Sequence, residues 1–292
     1  NAETGPRRAG RRQPDLDTVY TINQDGSRNF LHVADVRGRW QVRKRLVYGL
    51  LLVVYLGLPW LRVGGKPAVH FDIPGRAAHL FGATFTNQDF HLLFFVLIGV
   101  GLAIFVMTSL FGRMWCGLYC PQTVFLEGVF RPLERLIEGD RVQRIRRNRA
   151  GANARTVGLK IVKHASYLVL CWIFAVNFVA YFIPVRELIG LLPHFPGHPT
   201  ALVWTVFWTG MLYFDYSWFR EQTCLIICPY GRLQSTLVDY DTLIIGYDAD
   251  RGEPRSKGVK TGGDCIDCRR CVDVCPTGID IRNGLQMECI GC

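Results

Sequence analysis

The spacing of the cysteines near the end of the 292-residue sequence constrains this chain more than any other feature. It runs Cys265-x2-Cys268-x2-Cys271-x3-Cys275-Pro276 and then, thirteen residues later, Cys289-x2-Cys292. Three cysteines two residues apart let one tight loop turn three thiolates toward a cubane iron–sulfur cluster. The fourth, followed by proline, ligates the other cluster of a two-cluster ferredoxin. Zinc would be satisfied by two Cys-x2-Cys pairs and has no use for the third and fourth cysteines. A disulfide knot is disfavoured by the reducing compartment derived below. Cross-ligation assigns Cys265, Cys268 and Cys271 to cluster one and Cys275, Cys289 and Cys292 to cluster two, each cluster lacking one ligand. The expectation is two [4Fe–4S] clusters in a longer parent, of which 264–292 is a truncated module that binds iron poorly by itself.

Such a module needs few apolar residues, yet 49% of the chain is hydrophobic. The apolar residues gather in four runs, 46–61, 90–110, 165–185 and 201–219, bounded by charge and carrying Trp and Tyr near their ends. That pattern suits membrane spans better than buried core helices. The net charge of +10 is distributed accordingly. Ten Lys/Arg precede the first run and eleven lie in 113–163, against three in 62–89 and Arg186 alone in 184–199. Alternation of this kind is the positive-inside rule, so the surplus charge is topological and argues against a nucleic-acid partner. It predicts a multi-pass membrane protein with the N-terminus, the middle connection and the cysteine module in the cytoplasm. No cleavable signal peptide is visible. Eleven cysteines in that compartment read as metal ligands rather than bridges.

The predicted fold class is a mainly α membrane protein: four transmembrane helices in two parallel two-helix repeats, followed by the ferredoxin module. Its segments are a basic arm (1–45), the membrane domain (46–239), a linker (240–263) and the module (264–292). The arm carries a weak apolar patch around 30–33 and no assigned chemistry. The connection 63–89 reads as an external loop, with His70, His79 and nearby His91 solvated or hydrogen-bonded rather than metal-ligating. Residues 122–138 form an expected amphipathic surface helix with Glu127, Arg131, Glu134, Arg135 and Glu138 on its polar side. The basic run 141–149 follows as a solvated or lipid-facing loop, and 241–245 is a candidate short strand or membrane-edge segment.

The repeat is visible in two more cysteine pairs. The second apolar run leads into Cys116-x3-Cys120-Pro121 and the fourth into Cys224-x3-Cys228-Pro229, 108 residues on. Residues four apart share one helix face, and proline turns the preceding residue away from helical geometry. Each pair should therefore sit at a helix end. Small packing residues are the alternative reading, but the duplication favours one shared metal or redox site built from Cys116, Cys120, Cys224 and Cys228. Cys171 is assigned to packing, Asp215 is a weaker functional candidate, and His164 is an interfacial anchor.

Together these motifs resemble one family. The residues that carry the likeness are Phe71-Asp72-Ile73-Pro74-Gly75-Arg76, Arg113-x-Trp115-Cys116-x3-Cys120-Pro121-Gln122-Thr123, Glu138-Gly139-Asp140-Arg141, Arg220-Glu221-Gln222 and Cys228-Pro229-Tyr230, with 251–255 and 263–292. They are similar to the cytochrome c oxidase accessory proteins called CcoG, FixG or RdxA, which are membrane-anchored polyferredoxins. The resemblance implies an oxidoreductase that reduces Cu(II) to Cu(I) during assembly of a cbb-type oxidase. It also implies a further span and an immunoglobulin-like domain beyond residue 292. The expected partners are the bilayer, copper ions, a cytoplasmic or quinol electron donor, oxidase assembly factors and a second copy in a homodimer. Two rival readings stand beside it: a quinol-oxidising membrane ferredoxin of the NapH type, and a non-catalytic copper carrier or assembly scaffold.

Overall fold

The computed structural model describes residues 30–151, 153–185, 188, 199–237, 242, 245–255, 263–283, 289 and 290. Most of the arm, parts of the linker, most of the 241–245 segment and Cys292 lie outside these residues. The chain divides into two compact units. One comprises Asn1–Val36, Met107–Gly117 and Glu221–Cys292; the other comprises Arg37–Val106 and Leu118–Arg220.

A helix stands on each of the four apolar runs. These are α1 (Arg39–Gly57), α2 (Phe90–Phe111), α7 (Ala154–Val179) and α8 (Pro199–Phe214). Two of them, α2 and α7, are long and apolar enough to cross a membrane. Almost none of α2 is buried, and Phe95, Val96, Leu97 and Leu102 are all exposed, the arrangement of a helix whose solvent is not water. The other two fall short for identifiable reasons. Helix α1 starts well before the apolar run and so takes in Arg39, Arg43, Lys44 and Arg45. Helix α8 has 16 residues, about 24 Å of rise, before the chain widens into a π-helical turn over Asp215–Phe219. The third helix also shifts from the expected 165–185 to start at Ala154, and it stops at Val179, where the chain turns.

The core of the second unit is aromatic. Phe130, Tyr167, Cys171, Phe174 and Tyr216 are buried together, with Phe130 stacked on Tyr216 at 4.4 Å. Cys171 is wholly buried there, as its packing assignment requires. Hydrogen bonds lock α1 to α7: the Tyr55 hydroxyl donates to the Phe174 carbonyl (2.9 Å), and Asn177 and Tyr181 donate to the Tyr55 carbonyl (2.8 Å each).

The connection expected as a loop is a small sheet. Strands β1 (Arg62–Val63) and β2 (Lys66–Pro67) make a minimal hairpin. Strands β3 (Val69–Asp72), β4 (Ala77–Leu80) and β5 (Ala83–Thr86) form an antiparallel meander. The Ile73-Pro74-Gly75-Arg76 stretch is its first turn. Asp72 Oδ1 accepts from the Gly75 N–H at 2.9 Å, and a Cβ on Gly75 would meet that carboxylate at 2.3 Å. A larger residue there would displace the Asp72 side chain from this bond.

The expected surface helix is broken and partly inverted. It consists of α4 (Pro121–Phe125), a π turn (Leu126–Phe130) and α5 (Arg131–Glu138). The extra residue in the π turn rotates the faces that follow. Arg131 and Glu134 are consequently buried, while Leu136 is 82% exposed. The basic run is helix α6 (Arg141–Arg149), not a loop, and its Arg144 is buried.

Candidate functional site

Both cysteine pairs sit at the same backbone device. Helix α2 ends at Phe111, Gly112 takes φ 58°, and the short α3 (Met114–Leu118) carries Cys116. Cys120 is extended (φ −63°, ψ 125°), and Pro121 opens α4. One repeat later the π turn ends at Phe219, Arg220 takes φ 51°, and a second π turn, Thr223–Ile227, carries Cys224. Cys228 is extended (φ −67°, ψ 110°), and Pro229 opens α9 (Pro229–Leu237). Proline fixes both last cysteines in the geometry expected of a residue before it. The pairs thus straddle a helix break, and the expected sharing of one helical turn does not hold: Cys116 is buried and Cys120 only half-buried.

Within the first unit, the flanks of the two motifs meet. Arg113, three residues before Cys116, donates a short hydrogen bond to the carbonyl of Gly231, three residues after Cys228. Thr108 and Tyr230 share a hydroxyl–hydroxyl bond of 2.6 Å, and Thr242 donates to the Ser109 carbonyl at 2.9 Å. Gly231 is obligatory in this contact. A Cβ there would stand 2.7 Å from the Cys224 carbonyl oxygen, a backbone atom that cannot swing aside. Cys116, Cys224 and Cys228 therefore belong to one unit whose packing is built from the residues around them.

The ferredoxin module rests on the same segment. Leu225 and Ile226, between Cys224 and Cys228, pack on Ile279, Cys275 and Cys289. Asp267 and Arg269 take positive φ on either side of Cys268 (50° and 55°), which curls the chain before the single turn α10 (Arg270–Asp273). Backbone curled in this way presents N–H groups toward an anion, as iron–sulfur sites require. Cys268 and Cys271 are exposed, Cys265 and Cys275 half-buried, and all ten described cysteines are free thiols. Cys275 Sγ lies 3.3 Å from Thr277 Oγ1, a contact of the kind that tunes cluster potential. Among the described residues no three Cys, His, Asp or Glu side chains converge into a metal-binding group. The donor chemistry and the curled loop fit a [4Fe–4S] cluster, for which the candidate ligands are Cys265, Cys268 and Cys271 and, on the other run, Cys275 and Cys289. Buried Arg282, in the segment between the two runs, pairs with Asp280 (2.6 Å) and reaches back to Asp267 beside Cys268. The hydrogen bonds it donates to Asp280 raise its pKa further.

A second support comes from the arm, at its weak apolar patch. Val33 and Ala34 of the arm are buried against the module, and Leu31 lies over Gly278. The Ala34 N–H donates to the Asp273 carbonyl and Arg270 donates to that of Asp35, both at 2.8 Å. Four short apolar residues among charges carry too weak a pattern to announce a docking strand.

Arg220 is held from within the second unit. Its guanidinium forks onto Glu134 at 3.0 and 3.3 Å, and Gln122 donates to its carbonyl at 3.2 Å. Glu134 also receives Arg144 at 3.1 Å and Lys163 at 3.8 Å, and Lys163 reaches Glu138 at 2.7 Å. Burial works to raise the Glu134 pKa, but Arg220, then Arg144 and Lys163, outweigh it and hold the carboxyl down at about 2.

Comparison with known proteins agrees with the cysteine chemistry and extends it. A 4Fe-4S dicluster domain matches residues 219–292, and a 4Fe-4S binding domain matches 92–139. The second match covers Cys116 and Cys120, so of the eleven cysteines only Cys171 lies outside an iron–sulfur segment. Fold, cysteines and matches define an iron–sulfur electron-transfer protein with helices suited to a membrane. Protein RdxA of Cereibacter sphaeroides is 39% identical over 263 residues, covering 88% of this chain and 56% of RdxA. Nitrogen fixation protein FixG of Rhizobium meliloti is 35% identical over 273 residues, covering 87% and 51%. Protein RdxB of Cereibacter sphaeroides is 35% identical over 266 residues, covering 87% and 55%. The chain belongs to the FixG/RdxA family and spans about half the length of these curated relatives. No solved structure matches it significantly.

Proposed function

We propose that the protein is a multi-pass membrane carrier of single electrons that reduces Cu(II) to Cu(I) for assembly of a cbb-type oxidase. Four spans in two repeats place the arm, the middle connection and the ferredoxin on the cytoplasmic side of a bacterial inner membrane. Bound [4Fe–4S] clusters supply one electron at a time. Cu(II) gains that electron and becomes Cu(I), with no bond to carbon or proton changing hands. Thiolates of Cys116, Cys120, Cys224 and Cys228 favour the reduced ion, because soft sulfur ligands select Cu(I). The electron donor is cytoplasmic or a quinol, and the receivers of Cu(I) are oxidase assembly factors; the working unit is a homodimer.

The observation that carries this reading is the packing of the second cysteine pair. The residues between Cys224 and Cys228 touch the wall that holds Cys275 and Cys289, and the flank of Cys116 is hydrogen-bonded to the flank of Cys228. Cys116, Cys224 and Cys228 thereby belong to the same unit as the cluster module. Replacing Cys116 and Cys120 with Ser, or Cys224 and Cys228, should abolish Cu(I) binding and copper reduction in cluster-loaded full-length protein. Combining the two pairs should add little, since residues acting as a unit do not lose additively. Intact copper chemistry in either double variant would overturn the proposal.

The match of 92–139 to a 4Fe-4S binding domain favours a second reading, in which the same four cysteines hold iron and the protein relays electrons from quinol. Iron and sulfide analysis separates the two. Unchanged content in the double variants supports copper, and a loss of iron supports the relay.

A further inference from the structure

We propose that His70 and His79 form a second metal site, an imidazole pair for a late first-row divalent ion with Cu(II) as its best occupant. The inference rests on no cysteine. The β3–β4 register sets His70 directly opposite His79, so both rings leave the same face of the sheet. Their centroids are 6.0 Å apart and their planes only 12° from parallel. His70 is buried, 8% exposed, and its Nδ1 has no hydrogen-bond partner among the described residues. A buried ring nitrogen left without a partner is uncommon in a native fold, and an ion is one of the few things that explains it.

The surroundings are those of a prepared ligand pair. Strand β3 is fixed by the sheet ladder, by the Phe71 N–H donating to the Tyr181 carbonyl (2.8 Å), and by Phe71 packing on Phe182. The His70 backbone is therefore held before any ion arrives. His79 Nδ1 is 2.9 Å from the hydroxyl of Thr84, its direct partner on β5. When Nδ1–H donates to that oxygen, Nε2 becomes the basic nitrogen of the ring. Ligating histidines are usually oriented by such a bond through the other nitrogen. Two imidazoles with water completing the set make a nitrogen–oxygen environment, which suits Cu(II) in tetragonal geometry. Among divalent first-row ions Cu(II) also binds such donors most tightly. Parallel rings that merely stack would bind no ion.

The test uses tag-free, detergent-purified protein with its clusters oxidised, titrated with Cu(II) and followed by electron paramagnetic resonance. Wild-type protein should show a tetragonal Cu(II) signal split by two imidazole nitrogens. His70→Gln and His79→Gln should each weaken that binding at least tenfold and remove the two-nitrogen pattern. Thr84→Val, which frees the orienting bond but keeps both ligands, should weaken it by a smaller factor. Cluster absorbance and the melting temperature serve as folding controls, and Zn(II) competition provides a second readout if the signal is broadened. No nitrogen-split signal in the wild type, or the same signal in both histidine variants, would overturn the site. Copper reduction is not the readout, so failure here and failure of the thiolate proposal are distinguishable.

Discussion

The two cysteine breaks share a positive φ before the first cysteine and an extended cysteine before proline, on different sequences. At the first, Gly112 supplies the positive φ without strain; at the second, 108 residues on, the position is Arg220. A non-glycine residue at φ 51° and ψ −121° costs about 1–3 kcal/mol, and the fold accepts it because the arginine's other end is anchored. Glu134 takes the guanidinium in a forked pair inside the second unit. The difference lies in the support: glycine's own freedom serves the first position, whereas at the second an ion pair does, with Glu134 and Gln122 bracing Arg220 from within the second unit.

The brace can be broken most severely at the acid. Glu134→Ala leaves buried Arg220 and Arg144 without their carboxylate and should cost about 3–5 kcal/mol in denaturant unfolding. A change under about 1 kcal/mol would mean that the Arg220 conformation is not held by this pair. The same group sets an acid limit. Because its folded pKa is depressed to about 2 from an ordinary value near 4.5, its contribution is full at neutral pH. That contribution is lost as pH falls from about 4.5 through 2, roughly 3 kcal/mol in all. Wild-type unfolding should steepen in that window and a Glu134→Gln protein should not.

Of these supports, the sequence announced only some. Pro121 and Pro229 dictate the extended cysteines before them, and the Cys265–Cys275 spacing dictates a curled loop; both follow from chemistry within a few residues. The four helices were legible from apolar runs, although their ends were set by neighbours: Asn153 precedes the start of α7, and a π turn ends α8 early. Glu134 was not legible. By periodicity it lies on the polar side, and only the cations arriving from α6, α7 and residue 220 make burial tolerable. The sheet was missed because four-residue strands such as Val69–Asp72 are too short for a period of two to stand out. Arg220 itself was hidden by the repeat, since aligning the motifs puts a long cation opposite a glycine.

A smaller effect sharpens the comparison at the close approach. Gly231→Ala drives a methyl into the Cys224 carbonyl and should cost about 1–3 kcal/mol as strain, with faster amide exchange over 223–231. No change would mean that the second break is looser than its geometry indicates. The smallest effects lie at the positive-φ positions. Gly112→Ala should cost about 1 kcal/mol or somewhat more. Arg220→Gly relieves strain yet loses the ion pair, and in a Glu134→Gln background it should be close to neutral by a double-mutant cycle. Additive losses there would separate the backbone strain from the ion pair.

The most direct measurement follows electrons. Full-length, cluster-loaded protein is reduced, freed of reductant and mixed anaerobically with Cu(II) in the presence of a Cu(I) chelator, while the visible absorbance of the clusters is recorded by stopped flow. A parallel sample receives a quinone analogue. The account predicts that absorbance recovers with one Cu(I) formed per cluster electron and that Cys224→Ser with Cys228→Ser stops the recovery. Recovery driven by quinone, with copper inert, would contradict it.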